Sequence, residues 1–143
     1  MPAKWMIKSE PDAYSFEKLV KDKKTSWTGV RNYTARNNLA AMKNGDLCLF
    51  YHSVGPKEIV GVARVVKEAY PDKTAPKSEA KKAWVCVDVA PVEKFATPVT
   101  LAQVKAHAIL RHMQLVKQSR LSVCPVTDEE WDAVVALGNG GAP

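Results

Sequence analysis

The sequence predicts a mixed α+β domain built around a small, closed or partly closed β-barrel. Three observations predict it. Strand-like apolar runs crowd the middle of the chain: DLCLFYHS from Asp46, EIVGVARVVKE from Glu58 and WVCVDV from Trp84. Helix-start signatures stand outside that block, at Thr100-Leu101-Ala102-Gln103 and Thr127-Asp128-Glu129-Glu130. No strand–helix rhythm marks βαβ units, which argues against a doubly wound sheet. The 143 residues, 46% apolar and 25% charged, suit one globular domain with a single real core.

The elements follow in order. Residues 4–8 (KWMIK) predict a short buried strand. Pro11 breaks it, and Ser15 caps a helix over 16–21 with Leu19 and Val20 turned inward. A second helix is expected over 35–42, stopped at Lys43-Asn44-Gly45 by a cation and a glycine. Strands over 46–53 and 58–68 flank a Gly55-Pro56 turn, and Gly61 marks a bulge or a close backbone approach. Residues 70–82, polar, basic and holding two prolines, predict an exposed, mobile loop. A strand over 84–89 is expected to continue past Pro91 into 92–95. The first capping box starts a helix running to about Ala106, and 107–117 reads as a helical turn plus loop. A last strand covers 121–126, and the second capping box opens a helix that ends at Gly138. The domain is therefore 1–138, with 139–143 a flexible tail.

Signatures of common enzyme chemistries are missing. The chain contains no GxxxxGK[ST] or GxGxxG phosphate cradle, no HExxH and no GxSxG. Three histidines without metal spacing predict no metal site, and no cofactor is expected. Cys48, Cys86 and Cys124 form no CxxC pair and sit in apolar runs, as small buried hydrophobes in a reducing cytoplasm do. No apolar run approaches the ~18 residues of a membrane span, and the charged N-terminus does not read as an export signal.

Charge points to a polyanionic partner. Residues 125–143 hold four acids and no Lys or Arg, whereas residues 1–124 hold 21 basic and 11 acidic residues, a net of +10. Lys8-Ser9-Glu10-Pro11 puts polar groups at a strand end; the same residues also suit an ordinary turn. Trp27, Arg31, Asn32 and Asn37 lie in a stretch of interleaved aromatic, Arg and Asn residues. Rings offer stacking faces, Asn a base-edge donor and acceptor, and Arg a phosphate contact. The same stretch also reads as a loop with a core-anchoring Trp27 and a helix capped by Asn32 or Thr34. Ser119, Arg120 and Ser122 precede the last strand and could hold a phosphate or a base edge, or simply enter the strand. Tyr51 and His52 end a strand, where they would line a barrel mouth or sit in core and surface.

Taken in order, these stretches resemble the EVE domain family. The resemblance rests on WMIKSEPDAYSF (5–16), WTGVRNYTARNNL (27–39), FYHS (50–53), IVGVARVVKEAYPD (59–72) and QSRLSVCPVTDEEW (118–131). It implies a PUA-like fold, a small, mostly antiparallel barrel similar to YTH and ASCH domains. It implies a reader of a modified base in DNA or RNA, free-standing and bacterial, monomeric, and located in the cytoplasm or at the nucleoid. Under that resemblance Trp27 and Tyr51 are stacking faces for a flipped base, and Ser9, Glu10, Asn37 and Ser122 are base-edge partners. Lys8, Arg31 and Arg120 are phosphate contacts or pocket walls, with Arg31 able to pair with Glu10. The alternative is an enzyme acting on a nucleobase or small ligand, as in ASCH-like relatives, with Lys8 and Glu10 as its acid–base pair.

Overall fold

The computed structural model describes residues 2–140. Three consecutive apolar residues, Trp5, Met6 and Ile7, make β1 (Lys4–Ser9) a strand buried on both faces. It runs parallel to β3 (Leu47–His52) on one side and antiparallel to β6 (Val123–Pro125) on the other. β3 pairs antiparallel with β4 (Glu58–Pro71), β4 with β5 (Val85–Thr100), and β5 with the short β2 (Thr25–Ser26). The sheet order is β2-β5-β4-β3-β1-β6. The α+β class holds, but among the described residues β2 and β6 do not pair, so the sheet is not closed into a barrel. The helix α2 (Tyr33–Ala41) packs against both β5 and β6.

Period-two alternation splits the core between the two faces. Trp5, Ile7, Cys48 and Phe50 join Phe16, Leu19, Trp27 and Leu39 on one face. Met6, Leu49 and Tyr51 join Ile59, Phe95, Leu110 and Trp131 on the other. Gly61 is required by close approach. A Cβ there would lie 2.6 Å from both the Glu93 carbonyl oxygen and the Phe16 ring, and the β4–β5 register shifts beside it. Both capping boxes form as expected, heading α3 (Leu101–Ala106) and α5 (Asp128–Gly138). Between them lie a 3₁₀ turn at Leu110–His112 and the single turn α4 (Gln114–Lys117).

Several local expectations are corrected. Ser15 caps α1 (Phe16–Asp22), but Val20 is half exposed, because only the Phe16–Leu19 spacing reaches the core. α2 starts two residues early, since the Asn32 side chain accepts from the Ala35 amide and so caps at Tyr33. β5 extends through Pro91 and Pro98. Pro91 pairs with Ala63 where the register shifts, which is how a residue without an N–H enters a ladder. Segment 70–82 is not a loose loop: β4 continues to Pro71, and a 3₁₀ helix covers Lys77–Lys82. Its lysines are exposed, as expected. The expected tail overlaps α5 by its cap, Asn139, and residues 141–143 lie outside the described part.

Candidate nucleic-acid interface

The C-terminal end of β1 opens on a cleft of about 420 Å³. Backbone pairing assembles it from four stretches distant in sequence. The Lys8 amide donates to the Ser122 carbonyl (3.0 Å), which sets the segment before β6 beside β1. The Trp27 amide donates to Val87 (2.7 Å), which carries the chain out of β2 along the cleft floor. Gly29, at φ 85°, then turns that chain back through the left-handed region. Ala13 and Tyr14, whose amides both donate to the Glu10 carbonyl, close the fourth side as a turn.

The lining is an aromatic floor with a hydroxyl rim. Trp27 packs edge-on against Tyr14 and Phe50, with centroids 6.2 Å and 5.3 Å away. At 7% exposure it shows the cleft a strip rather than a free ring face. Ser9, Thr25, Ser26, Thr28 and Ser122 supply hydroxyls and Arg31 supplies charge, whereas the Lys8 side chain leaves toward the face of Met6 and Tyr51, its Nζ 6.0 Å from the Tyr51 ring. Lys8 is half buried and its Nζ donates to the Ser119 carbonyl at 3.3 Å. Burial holds its ammonium below the ordinary lysine value, against the opposing pull of Cys124.

Arg31 is not free for phosphate. Its Nη1 bonds Asp72 Oδ2 at 3.0 Å and its Nη2 bonds Thr74 Oγ1 at 3.0 Å. Asp72 Oδ2 also accepts the Gly29 amide, and Oδ1 accepts the Thr74 amide and hydroxyl. Burial pushes the Asp72 carboxyl up, but these donors outweigh it and hold it at about 2. Beyond Asp72 the basic segment stays docked on α2. Trp84 stacks on Tyr33 (5.2 Å, 21°), and Arg36 reaches the Lys82 carbonyl. Lys73, Lys77, Lys81 and Lys82 thus extend outward from the Arg31 wall.

Of the twelve residues expected at the site, five meet in this cleft: Lys8, Ser9, Trp27, Arg31 and Ser122. Asn32 and Arg120 line a separate cleft of about 450 Å³ with Asn38 and Gln118. Glu10 is exposed outside the cleft, and Arg31 pairs with Asp72 instead. Asn37 is engaged by its neighbour Arg36, and Ser119 contributes only a carbonyl to Lys8. Tyr51 is 4% exposed and lies in the core on the opposite face of the sheet, because it is out of phase with Phe50 on β3. Its role as a stacking face is corrected to that of a core residue. His52 Nε2 accepts the Phe16 amide (3.2 Å) and so serves the start of α1. Burial lowers its basicity, opposed by Glu58 and Glu17.

Tyr14, Ser26 and Asp72 were missed as site residues. For Asp72 a local signal existed, since Asp followed two residues later by Thr is a common turn pattern. Nothing local tied it to Arg31. Among the described residues no cluster of three or more His, Cys, Asp or Glu is placed to hold a metal, and no helix is long and apolar enough to cross a membrane. All three cysteines are buried and free.

The fold and cleft define a small α+β domain with a ligand-sized, hydroxyl-rimmed recess beside a basic shelf. The sequence pattern of the EVE domain family matches residues 3–137, and the chain belongs to that family. Thymocyte nuclear protein 1 of Gallus gallus is 38% identical over 165 aligned positions, spanning 93% of this chain and 67% of that protein. A hypothetical protein from Leishmania major superposes with a TM-score of 0.91 at 40% identity, covering 98% of this chain and 96% of that one. The human THYN1 protein, solved in complex with DNA containing 5-methylcytosine, superposes at 0.87 and 35% identity, covering 99% of each chain.

Proposed function

We propose that this chain reads a modified base of the 5-methylcytosine type in DNA, taking the extruded base into the Trp27 cleft. The observation that carries the reading is the cleft itself. It joins an apolar floor to a hydroxyl rim in a volume suited to one small ligand, about 420 Å³. The human relative crystallised with 5-methylcytosine DNA supports the choice of DNA and of that modification. In this reading Ser9 and Ser122 meet the base edge. The exposed Lys73, Lys77 and Lys81 neutralise flanking phosphates, and contribute affinity without sequence preference.

The test is binding of the purified chain to short labelled DNA and RNA strands, single and double, at two salt concentrations. Each strand carries cytosine, 5-methylcytosine or 5-hydroxymethylcytosine at one position. A preference for one modified base in DNA that survives high salt and drops in Ser122→Ala and Ser9→Ala supports the reading. Uniform binding abolished by salt overturns it, and a preference confined to RNA moves the substrate class. Trp27→Ala is the poorer probe, because Trp27 is also a core residue whose loss costs about 3–5 kcal/mol.

A further inference from the structure

Ser26 lines the Trp27 cleft, and its hydroxyl lies 2.9 Å from the Tyr70 hydroxyl. Distance alone does not say which oxygen donates; the next link does. Tyr70 Oη donates to Asp88 Oδ1 at 2.5 Å. A carboxylate only accepts, and a phenol has one hydrogen to give. Asp88 is 8% exposed and stands opposite Ser26 in the β2–β5 register, so it is held in place by the sheet. The thiol of Cys86, also near Tyr70, is a weaker acceptor. The bond to Asp88 raises Tyr70 to about 12, so the phenol keeps its proton at neutral pH.

With that hydrogen committed to Asp88, the Tyr70 oxygen accepts and Ser26 donates to it. The single hydroxyl hydrogen of Ser26 is then spent. What Ser26 has left for a ligand is lone pairs.

We propose that the Asp88–Tyr70–Ser26 relay makes Ser26 an obligate acceptor on the cleft rim, so that the cleft selects a base carrying an exocyclic amine over its keto counterpart. The proposal rests on the base-reading function above and names the base class it takes. 5-Methylcytosine and thymine make the decisive pair, since they share ring and methyl and differ only along one edge: an amine at C4 beside a bare N3, against a carbonyl at C4 beside a protonated N3. A carbonyl turned to Ser26 sets two acceptors together with no hydrogen between them. Ser26 is the contact residue, and Tyr70 and Asp88 position its hydrogen.

The experiment uses short single-stranded DNAs that differ only at one central residue: cytosine, 5-methylcytosine or thymine. Dissociation constants are measured for the wild type, Tyr70→Phe and Ser26→Ala, with a thermal melt of each protein. The wild type is expected to favour 5-methylcytosine over thymine by about tenfold. Tyr70→Phe frees the Ser26 hydroxyl to turn and donate, so the ratio should fall below about threefold, a change in selectivity that mere destabilisation does not produce. Ser26→Ala, at an exposed position, should flatten the ratio in the same way. An undiminished ratio in both variants overturns the relay. So does a wild type that favours 5-methylcytosine over cytosine yet binds thymine equally well, which leaves base reading standing. A wild type that ignores the methyl group altogether overturns base reading and this inference with it.

Discussion

Arg31 Nη1 stands 3.0 Å from Asp72 Oδ2, joining the cleft wall to the head of the basic segment across 41 residues of sequence. Asp72 is fully enclosed and accepts from two amides, a hydroxyl and the guanidinium. The pair holds the recess and the lysine shelf in one register, and it spends the Arg31 charge that a phosphate would otherwise meet.

That enclosure has a pH signature. The Asp72 carboxyl is held at about 2, below its ordinary value of 3.8, because its donors outweigh the burial that opposes ionisation. Its folded pKa lies below the unfolded one. The stabilisation is therefore complete above about pH 4 and is lost as pH falls through about 2. Asp72→Asn should cost about 2 kcal/mol at pH 7 and much less at pH 2.5 in urea melts. An equal cost at both pH values would contradict this account.

His52 titrates in a second window. Burial lowers its pKa from 6.5, so the folded state resists protonation more than the unfolded chain does. Stability should begin to fall as pH drops below about 6.5, and the fall should end at the depressed folded value. Protonation also removes the Nε2 lone pair that accepts the Phe16 amide. His52→Gln keeps an acceptor without titrating, so its melting temperature should not share the wild-type decline between pH 7 and pH 5.5. A parallel decline in the variant assigns that slope to other groups.

Gly61 is a packing position and not a flexible one. Its missing Cβ leaves room for the Phe16 ring and the Glu93 carbonyl. Gly61→Ala should destabilise the fold by about 1–3 kcal/mol, because the backbone side of that contact cannot step aside. Gly55→Ala meets open space and suffers only the strain of its φ of 75°, so it should cost less. Chemical denaturation of the two variants ranks them directly.

The lysine shelf should act on affinity and leave selectivity alone. Replacing Lys73, Lys77 and Lys81 with Gln is expected to weaken DNA binding equally for modified and unmodified strands. It should also flatten the dependence of log K on log salt by up to about 0.9 per lost phosphate contact. A change in base preference would place one of these lysines inside the reading site.

The residues that told their story early are those whose partners lie within a few positions. Ser15, Thr100 and Thr127 cap helices because the acceptor, the open amide and the turn are all local. Alternation placed Trp5 and Ile7 on one face and Met6 on the other. Lys8, Ser9, Trp27, Arg31 and Ser122, which line one cleft, stood out in the sequence because strand ends and an aromatic–Arg–Asn stretch are unusual compositions. Tyr51 was misread because a half-apolar strand end does not reveal which face its last residue joins. The 70–82 segment was misread because its polarity resembles a loop, while its order comes from Asp72 and Trp84 meeting residues 29–33.

What this sequence determined by itself is its α+β class, the positions of its caps and breaks, its basic body and its family, since each follows from short-range sterics, hydrogen bonding or composition. Only the tertiary structure decided that the sheet stays open beside α2, that Arg31 faces Asp72, and that the Tyr70 hydroxyl lies between Ser26 and Asp88. A buried polar group takes its partner, and its hydrogen its direction, from whichever segment packing brings within about 3 Å, and no spacing along the chain encodes that distance.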